Sequence, residues 1–346
     1  METVLHNSIR EYYGQVLKTK EDLKTSACCT GESLPLHLSA LLKNIHPTVK
    51  EKFYGCGTPF PDLLEGLTVL DLGSGSGRDC YLFSQLVGPS GKVIGVDMTE
   101  EQIQVAKQFE KYHQEKFQYE KSNVFFYQSY IEDLHKVVPD QSVDLVVSNC
   151  VLNLSPYKDK VFSEIFRVLK PGGELYFSDV FADRRIPQHL MKDPILLGEC
   201  LSGALYIEDF RRMLSELQIK DFRIVKKSSI TLHDPEIIQK IGMVQFHSIT
   251  IRAFKLPLED KCEDYGQIAI YKGTIPHHPH GWALDDHHYF EAHKPLPVCG
   301  NTADMLSQTR FKNHFEIMGS KEIHFGLFKD CGPSQENTSP EPAGCC

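Results

Sequence analysis

Apolar positions along this chain change period several times. Between residues 64 and 183, short and nearly continuous apolar runs alternate with stretches in which apolar residues recur every three or four positions. The runs read as strands buried on both faces, and the periodic stretches as helices that cover them. The predicted strands are Leu67–Leu72, Lys92–Val96, Val124–Tyr127, Val143–Ser148 and Leu175–Val180. Cys80, Tyr81, Phe83, Leu86 and Val87 mark a first helix. Thr99 and Glu100 start a second, with Ile103, Val105, Ala106 and Phe109 inward. A third, from Val161 to Leu169, is stopped by Pro171-Gly172-Gly173. The core from about Leu63 to Val180 is therefore predicted to be an α/β unit with a parallel sheet.

The pattern weakens outside that core. Residues 4–24 read as a helix broken at Gly14 that covers the mouth of a cofactor site, and His37–Lys43 and Thr48–Phe53 as two more helices. Thr25–Gly31 and Tyr54–Pro61 are loops by their Gly, Pro, Ser and Thr content. After Asp183, Leu205–Leu217 is predicted helical, and Ile224–Ile230 and Phe246–Phe254 are strands that finish the domain. A separate unit begins near Lys255, with a strand at Gln267–Tyr271. A histidine-rich loop follows (His277, His278, His280, His287, His288, His293). Such a loop is able to bind a metal, but with no helical histidine pair and no thiol partner a solvated loop is the favoured reading. Residues 332–346 read as a disordered tail ending in Cys345-Cys346.

Composition narrows the class. A chain of 346 residues implies two or three domains. The net charge is −9 with no basic run, which argues against nucleic-acid binding. Met1–Arg10 is polar, so no signal peptide is predicted, and no stretch approaches the ~20 apolar residues of a membrane span. A soluble, cytosolic protein is expected. The eleven cysteines are odd in number and irregular in spacing, unlike a secreted disulfide scaffold, and the lack of a C-x-x-C pair weakens structural zinc. Reduced thiols are the default.

Candidate chemistry centres on Asp71-Leu72-Gly73-Ser74-Gly75-Ser76-Gly77, a strand that meets three alternate glycines and then a helix. Without Cβ atoms, such a turn lets a ligand lie against the backbone and the helix start. Asp97 ends the next strand, 20 residues after Gly77, where a carboxylate suits a pair of ribose hydroxyls. The third glycine falls one residue earlier than in the dinucleotide fingerprint. An NAD-type domain, or a related fold that binds nothing, remains the alternative. Cys150 follows the fourth strand, at the end of a parallel sheet where ligands bind. Cys56, between Gly55 and Gly57, has an unobstructed sulfur that suits ligation, and Cys200 lies between Gly198 and Gly203, which let another chain come close. For each of these cysteines the alternative is packing. Cys80, among apolar helix neighbours, reads as core, and Cys28-Cys29 form an adjacent pair on a loop.

These blocks resemble a known family. Asp71–Gly77 and Val96-Asp97-Met98 resemble the first and second motifs of the class I S-adenosylmethionine (SAM) methyltransferases. Asp144–Asn149 resembles their fourth strand, and Leu169–Gly173 the turn before their fifth. The resemblance implies a Rossmann-like fold, with Asp71, Gly73, Gly75, Gly77, Asp97, Met98 and Asn149 at the SAM site and Ile131 and Glu132 near the adenine. The cysteine blocks Thr25–Thr30, Tyr54–Gly57, Ser148–Leu154 and Gly198–Leu205 make it narrower: from about residue 10 to 331 the chain resembles the arsenic(III) methyltransferases. By that resemblance Cys56, Cys150 and Cys200 match the arsenic-binding thiolates, and Cys28 the N-terminal redox cysteine, with Cys29 as its competitor. No role follows for Cys262, Cys299 or Cys331.

The family reading implies a mechanism. Arsenic(III) held by sulfur keeps a lone pair that takes the methyl group of SAM, so no general base and no catalytic metal are expected. Two electrons from protein thiols return the arsenic to the trivalent state and leave a disulfide that includes Cys28, which thioredoxin or glutathione reduces. Arsenite or its glutathione conjugate is the implied substrate, capture is expected to weaken as thiols protonate at low pH, and a monomer is expected. The implied organisation is an N-terminal arm (1–62), a SAM-binding core (63–183), an arsenic-binding α+β segment (184–256), a small C-terminal domain (257–331) and the tail (332–346). Two rivals stand: a methyltransferase for a carbon or oxygen acceptor with structural cysteines, and a thiol-based metal sensor or store on an inactive fold.

Overall fold

The computed structural model of the chain describes His6 and residues 35–53, 57–191, 193, 196 and 200–329. Apart from His6, the helix predicted at 4–24 lies outside those residues. So do Cys28, Cys29, Cys56, Gly198, Cys331 and the predicted tail. The chain divides into two compact units between Pro257 and Leu258.

In the first unit, α1 (Leu36–Leu42) and α2 (Pro47–Glu51) precede the sheet, and Pro47 opens α2 where its missing N–H costs nothing. The core then runs β1 (Thr68–Leu72), α3 (Arg78–Val87), β2 (Lys92–Asp97), α4 (Glu100–Gln108), α5 (Glu110–Lys116), β3 (Val124–Gln128), β4 (Val143–Asn149), α6 (Lys158–Val168) and β5 (Leu169–Ala182). The sheet is completed by β6 (Leu205–Tyr206), α7 (Ile207–Glu216), β7 (Arg223–Ile230), α8 (Pro235–Ile241) and β8 (Phe246–Phe254). Strand order is β3-β2-β1-β4-β5-β8-β7, with β6 on β5. Strands β1 to β5 are parallel, and β8 is antiparallel to both neighbours. The chain leaves β1 to one side and returns as β4 on the other, so a crevice opens at their carboxyl ends. Val69, Leu70, Leu72, Val93, Val96 and Val146 are fully buried, as strands covered on both faces require.

Two predicted boundaries move for a tertiary reason. The expected turn at Leu169–Gly173 lies inside β5. Val143 pairs with Leu169 and Leu145 with Glu174, so Lys170–Gly173 bulges out of the ladder, and the Gly172 N–H is met by the Lys255 carbonyl. The helix expected from Leu205 starts at Ile207, because Leu205 and Tyr206 pair with Phe181 and Ala182.

The second unit comprises β9 (Glu263–Asp264), β10 (Gln267–Tyr271), β11 (Gly281–Ala283), β12 (Tyr289–Glu291), β13 (Pro295–Val298), α9 (Gly300–Ser307), β14 (Phe315–Met318) and β15 (Gly326–Leu327). An antiparallel β13-β10-β14 sheet and two two-stranded ribbons surround Trp282, whose ring lies 4.6 Å from that of Phe311. The histidine-rich loop is only partly solvated. His277, His280, His287 and His293 are exposed, but His288 is buried with its Nδ1 2.8 Å from the buried Asp285 carboxylate. Donor atoms of Asp285, His287 and His288 come within 4.8 Å of one another, and Asp285 and His288 already satisfy each other there. Among the described residues no helix is long and apolar enough to cross a membrane.

Candidate active site

The crevice between β1 and β4 is a cavity of about 1050 Å³ counting its open mouth. Of the predicted cofactor residues, Asp71, Gly73, Gly75, Asp97, Met98, Ile131, Glu132 and Asn149 line it, and Gly77 does not. Gly77 sits at φ +87°, and a Cβ there would lie 2.7 Å from the Phe126 ring. Its absence of side chain lets α3 pack onto the sheet rather than admitting a ligand.

The walls are acidic and incompletely satisfied. Asp97 accepts the Gly75 N–H at 2.9 Å and the Thr99 N–H at 2.8 Å, with the Thr99 side chain as a further donor, so it braces the glycine turn and keeps acceptor capacity for a ligand hydroxyl. Burial raises its pKa, and those two N–H groups oppose the rise. Asp71 is pushed up to about 8 by burial and by the neighbouring Asp79, against a hydrogen bond from Cys80 Sγ at 3.2 Å. A cationic ligand here would draw the proton off. Ser74 Oγ and Gln102 Oε1 line the same cavity, buried and without a protein hydrogen-bond partner among the described residues. Glu132 lies 2.7 Å from His6 Nε2, an ion-pair approach poorly directed for a hydrogen bond, and it accepts from Ser155 Oγ at 3.3 Å. Sequence reasoning missed Ser74, Gln102 and His6. Gln102 stood one helical turn beyond Met98, whereas nothing local marked His6.

The cysteines divide by position. Cys150 lines the cavity, 5% exposed, in a left-handed conformation (φ +61°) that non-glycine residues rarely adopt. Cys200 is fully buried and equally left-handed (φ +60°), and its Sγ donates to the Cys150 carbonyl at 3.4 Å. The two share one buried cluster with Leu154, Val180 and Leu196. Cys56 is outside the described residues, but the next residue, Gly57, is tied to Asn149. The Gly57 N–H donates to Asn149 Oδ1 at 3.1 Å, and Asn149 Nδ2 donates back to the Gly57 carbonyl at 2.9 Å. A Cβ on Gly57 would sit 2.5 Å from Ser178. The neighbour of Cys56 is thus docked on the neighbour of Cys150. Cys80 is a core thiol as predicted, pushed well above its ordinary pKa by burial and by Asp71.

Behind Cys200 lies a polar network that the sequence did not announce. Asn153 Nδ2 donates to Asp179 Oδ1 at 2.7 Å, the Asn153 N–H donates to Asp179 Oδ2 at 3.2 Å, and Lys158 Nζ donates to the carbonyls of Asn153 and Ser155, both at 2.9 Å. Burial lifts Asp179 to about 7, helped by nearby Cys200, and burial lowers Lys158 to about 8 against the pull of Asp179 and Cys200.

Comparison with known proteins identifies the family. A family model for a methyltransferase domain matches residues 63–218, and one for the arsenite methyltransferase C-terminal domain matches 265–343. An arsenite methyltransferase of Aquipseudomonas alcaligenes is 52% identical over 330 residues, covering 95% of both chains. That of Mus musculus is 42% identical, covering 99% of this chain and 96% of its own. The crystal structure of an arsenic(III) S-adenosylmethionine methyltransferase from Chlamydomonas reinhardtii superposes with a TM-score of 0.83 at 50% identity, covering 86% of this chain and all of that one. With a methyltransferase domain, a C-terminal domain and relatives over nearly the whole chain matched at these identities, the chain belongs to the arsenite methyltransferase family.

Proposed function

We propose that the chain transfers methyl groups from SAM to trivalent arsenic held by Cys56, Cys150 and Cys200. The observation that carries this reading is the approach of Cys200, and of the residue that follows Cys56, to the cysteine in the cavity wall and its neighbour. Cys150 forms part of that wall, Cys200 Sγ reaches the Cys150 carbonyl, and the residue after Cys56 is clasped by Asn149. The same cavity suits SAM. Asp97 has acceptor capacity for a ligand hydroxyl, Asp71 for an ammonium, and Ser74 and Gln102 await polar partners.

Arsenite binds by exchange: each thiol gives its proton to a departing oxygen, one water leaves per As–S bond formed, and no electrons move. SAM supplies an electrophilic methyl group: the lone pair of the sulfur-bound arsenic forms the As–C bond as the S–CH3 bond breaks, and S-adenosylhomocysteine leaves with that electron pair. Because that nucleophile carries no proton, the chain needs no general base. Its contribution is orientation, worth up to ~7–11 kcal/mol in favourable systems. Asn149 joins the two halves, since it lines the cavity and its amide clasps Gly57, the residue after Cys56. Methylation leaves arsenic formally pentavalent. Two thiols, Cys28 among them, supply two electrons and become a disulfide, which thioredoxin or glutathione in the cytosol reduces. Arsenite or its glutathione conjugate enters, and mono- and dimethylated arsenic leave.

Mass-spectrometric speciation of arsenic after incubation with arsenite, SAM, glutathione and thioredoxin tests this. Wild type is expected to form methylarsenicals, and Cys150→Ser and Cys200→Ser to fall to background with SAM binding retained. Undiminished product from the serine variants would remove the thiolate site. Absence of methylarsenicals from folded, SAM-binding wild type would favour a carbon or oxygen acceptor.

A further inference from the structure

The two cysteines at the site share an awkward conformation. Both are left-handed, and residues held there persist only when the surroundings over-determine them. Both adjoin the turn that follows Cys150. Its 3-10 segment, Leu152–Leu154, ends at carbonyls that no helix continues. Lys158 is the first residue of α6, where a cation opposes the helix dipole, so its position there asks for a reason. Its ammonium turns back and caps the carbonyls of Asn153 and Ser155, both at 2.9 Å. Asn153 itself is 2% exposed. Its side chain and N–H both bind Asp179, and Nδ2 also reaches the Val180 carbonyl. The same Asn153 carbonyl seats the Cys200 turn: a Cβ on Gly203 would lie 2.2 Å from it, so that backbone rests directly on this oxygen. The Cys200 turn is otherwise closed by Leu201 and Ser202 N–H groups on the Leu196 carbonyl.

We propose that Asn153, pinned by Lys158 and Asp179, is the positioning hub that sets the spacing of the Cys150 and Cys200 thiols and so governs arsenic capture without contributing to SAM binding. Neither Asn153 nor Lys158 nor Asp179 lines the cofactor cavity. The Asn153 carbonyl receives the Cys200 turn on one side and the Lys158 ammonium on the other, so loss of the ammonium frees the oxygen and the two turns drift. The inference rests on the reading of Cys150 and Cys200 as arsenic ligands.

The test measures arsenite and SAM affinity by calorimetry on the reduced full chain for wild type, Lys158→Met, Lys158→Arg, Asn153→Asp and Cys200→Ser. Lys158→Met keeps the volume and removes the donor. Asn153→Asp keeps the shape and sets a carboxylate against Asp179. Both are expected to weaken arsenite by about 10–100-fold, as partners one shell behind a ligand do. SAM affinity is expected to stay within about twofold, as for an independent site. Lys158→Arg, still a donor, is expected to restore arsenite binding. Wild-type arsenite affinity in Lys158→Met and Asn153→Asp, with loss in Cys200→Ser, would overturn the hub and leave the thiolate site standing. Parallel loss of arsenite and SAM would overturn it in favour of a general structural role. Arsenite affinity retained in Cys200→Ser would remove the ligand reading beneath it.

Discussion

Asp179 is 1% exposed in a strand covered on both faces, and its environment decides its protonation. Folding raises its pKa from 3.8 to about 7, so between those values the native state keeps a proton that the unfolded state has lost. Stability from this group is therefore full below about pH 4 and declines as pH rises to about 7. His113 works the other way, lowered from 6.5 to about 4 by burial, and Asp71 and Lys158 are shifted as well, so the whole protein shows their sum. A difference measurement separates them. Denaturant unfolding of wild type and Asp179→Asn at several pH values should show the wild-type margin shrinking from pH 4 to 7 and constant above. A margin flat across that window would mean that Asp179 ionises normally. At this scale the sequence was readable where a residue's role follows from chain position. Cys150 stands at a strand end, and strand ends in parallel sheets face ligands. Lys158 and Asp179 were not readable, because their meaning comes from Asn153, 26 positions from Asp179, and from a turn 50 positions further on.

The glycine-rich turn between β1 and α3 shows how one motif divides its work. Gly75 has nothing within 4 Å of an added Cβ, lines the cavity and sits at φ +50°. Gly77 faces Phe126 and Ala106 instead. Gly75→Ala should therefore cost about 1 kcal/mol or somewhat more of backbone strain while weakening SAM strongly. Gly77→Ala should cost about 1–3 kcal/mol through overpacking, with the smaller effect on SAM. Denaturant midpoints and calorimetric SAM affinities check this, and equal ranking in both assays would contradict the division. The alternating glycines were legible as a turn, but which of them meets a ligand depended on how closely α3 approaches β3. The same limit applies to Lys170–Gly173, whose Pro-Gly-Gly composition signals a turn but not a bulge held by Lys255.

At the scale of the molecule, the alternation of apolar runs with helical periods sufficed to expect a parallel sheet, and the sheet order places the cavity at its switch point. The return strands β7 and β8 were also legible as strands. Their insertion beside β5 was not, because antiparallel order is a matter of topology rather than of local pattern. In the second unit only β10 was anticipated. Its other strands are two to four residues long, too short for a period-2 signal, and its core is held by aromatic contacts among Trp282, Phe290, Phe311 and Phe315.

Trivalent arsenic on three sulfurs beside the cofactor cavity is the proposal on which the mechanism turns. X-ray absorption at the arsenic edge, on the reduced protein loaded with one equivalent of arsenite, measures this directly. A shell of three sulfurs and no oxygen is expected in wild type, falling to two sulfurs with an oxygen in Cys56→Ser, Cys150→Ser and Cys200→Ser alike. An oxygen-rich shell in wild type, or three sulfurs that persist in Cys150→Ser and Cys200→Ser, would contradict it.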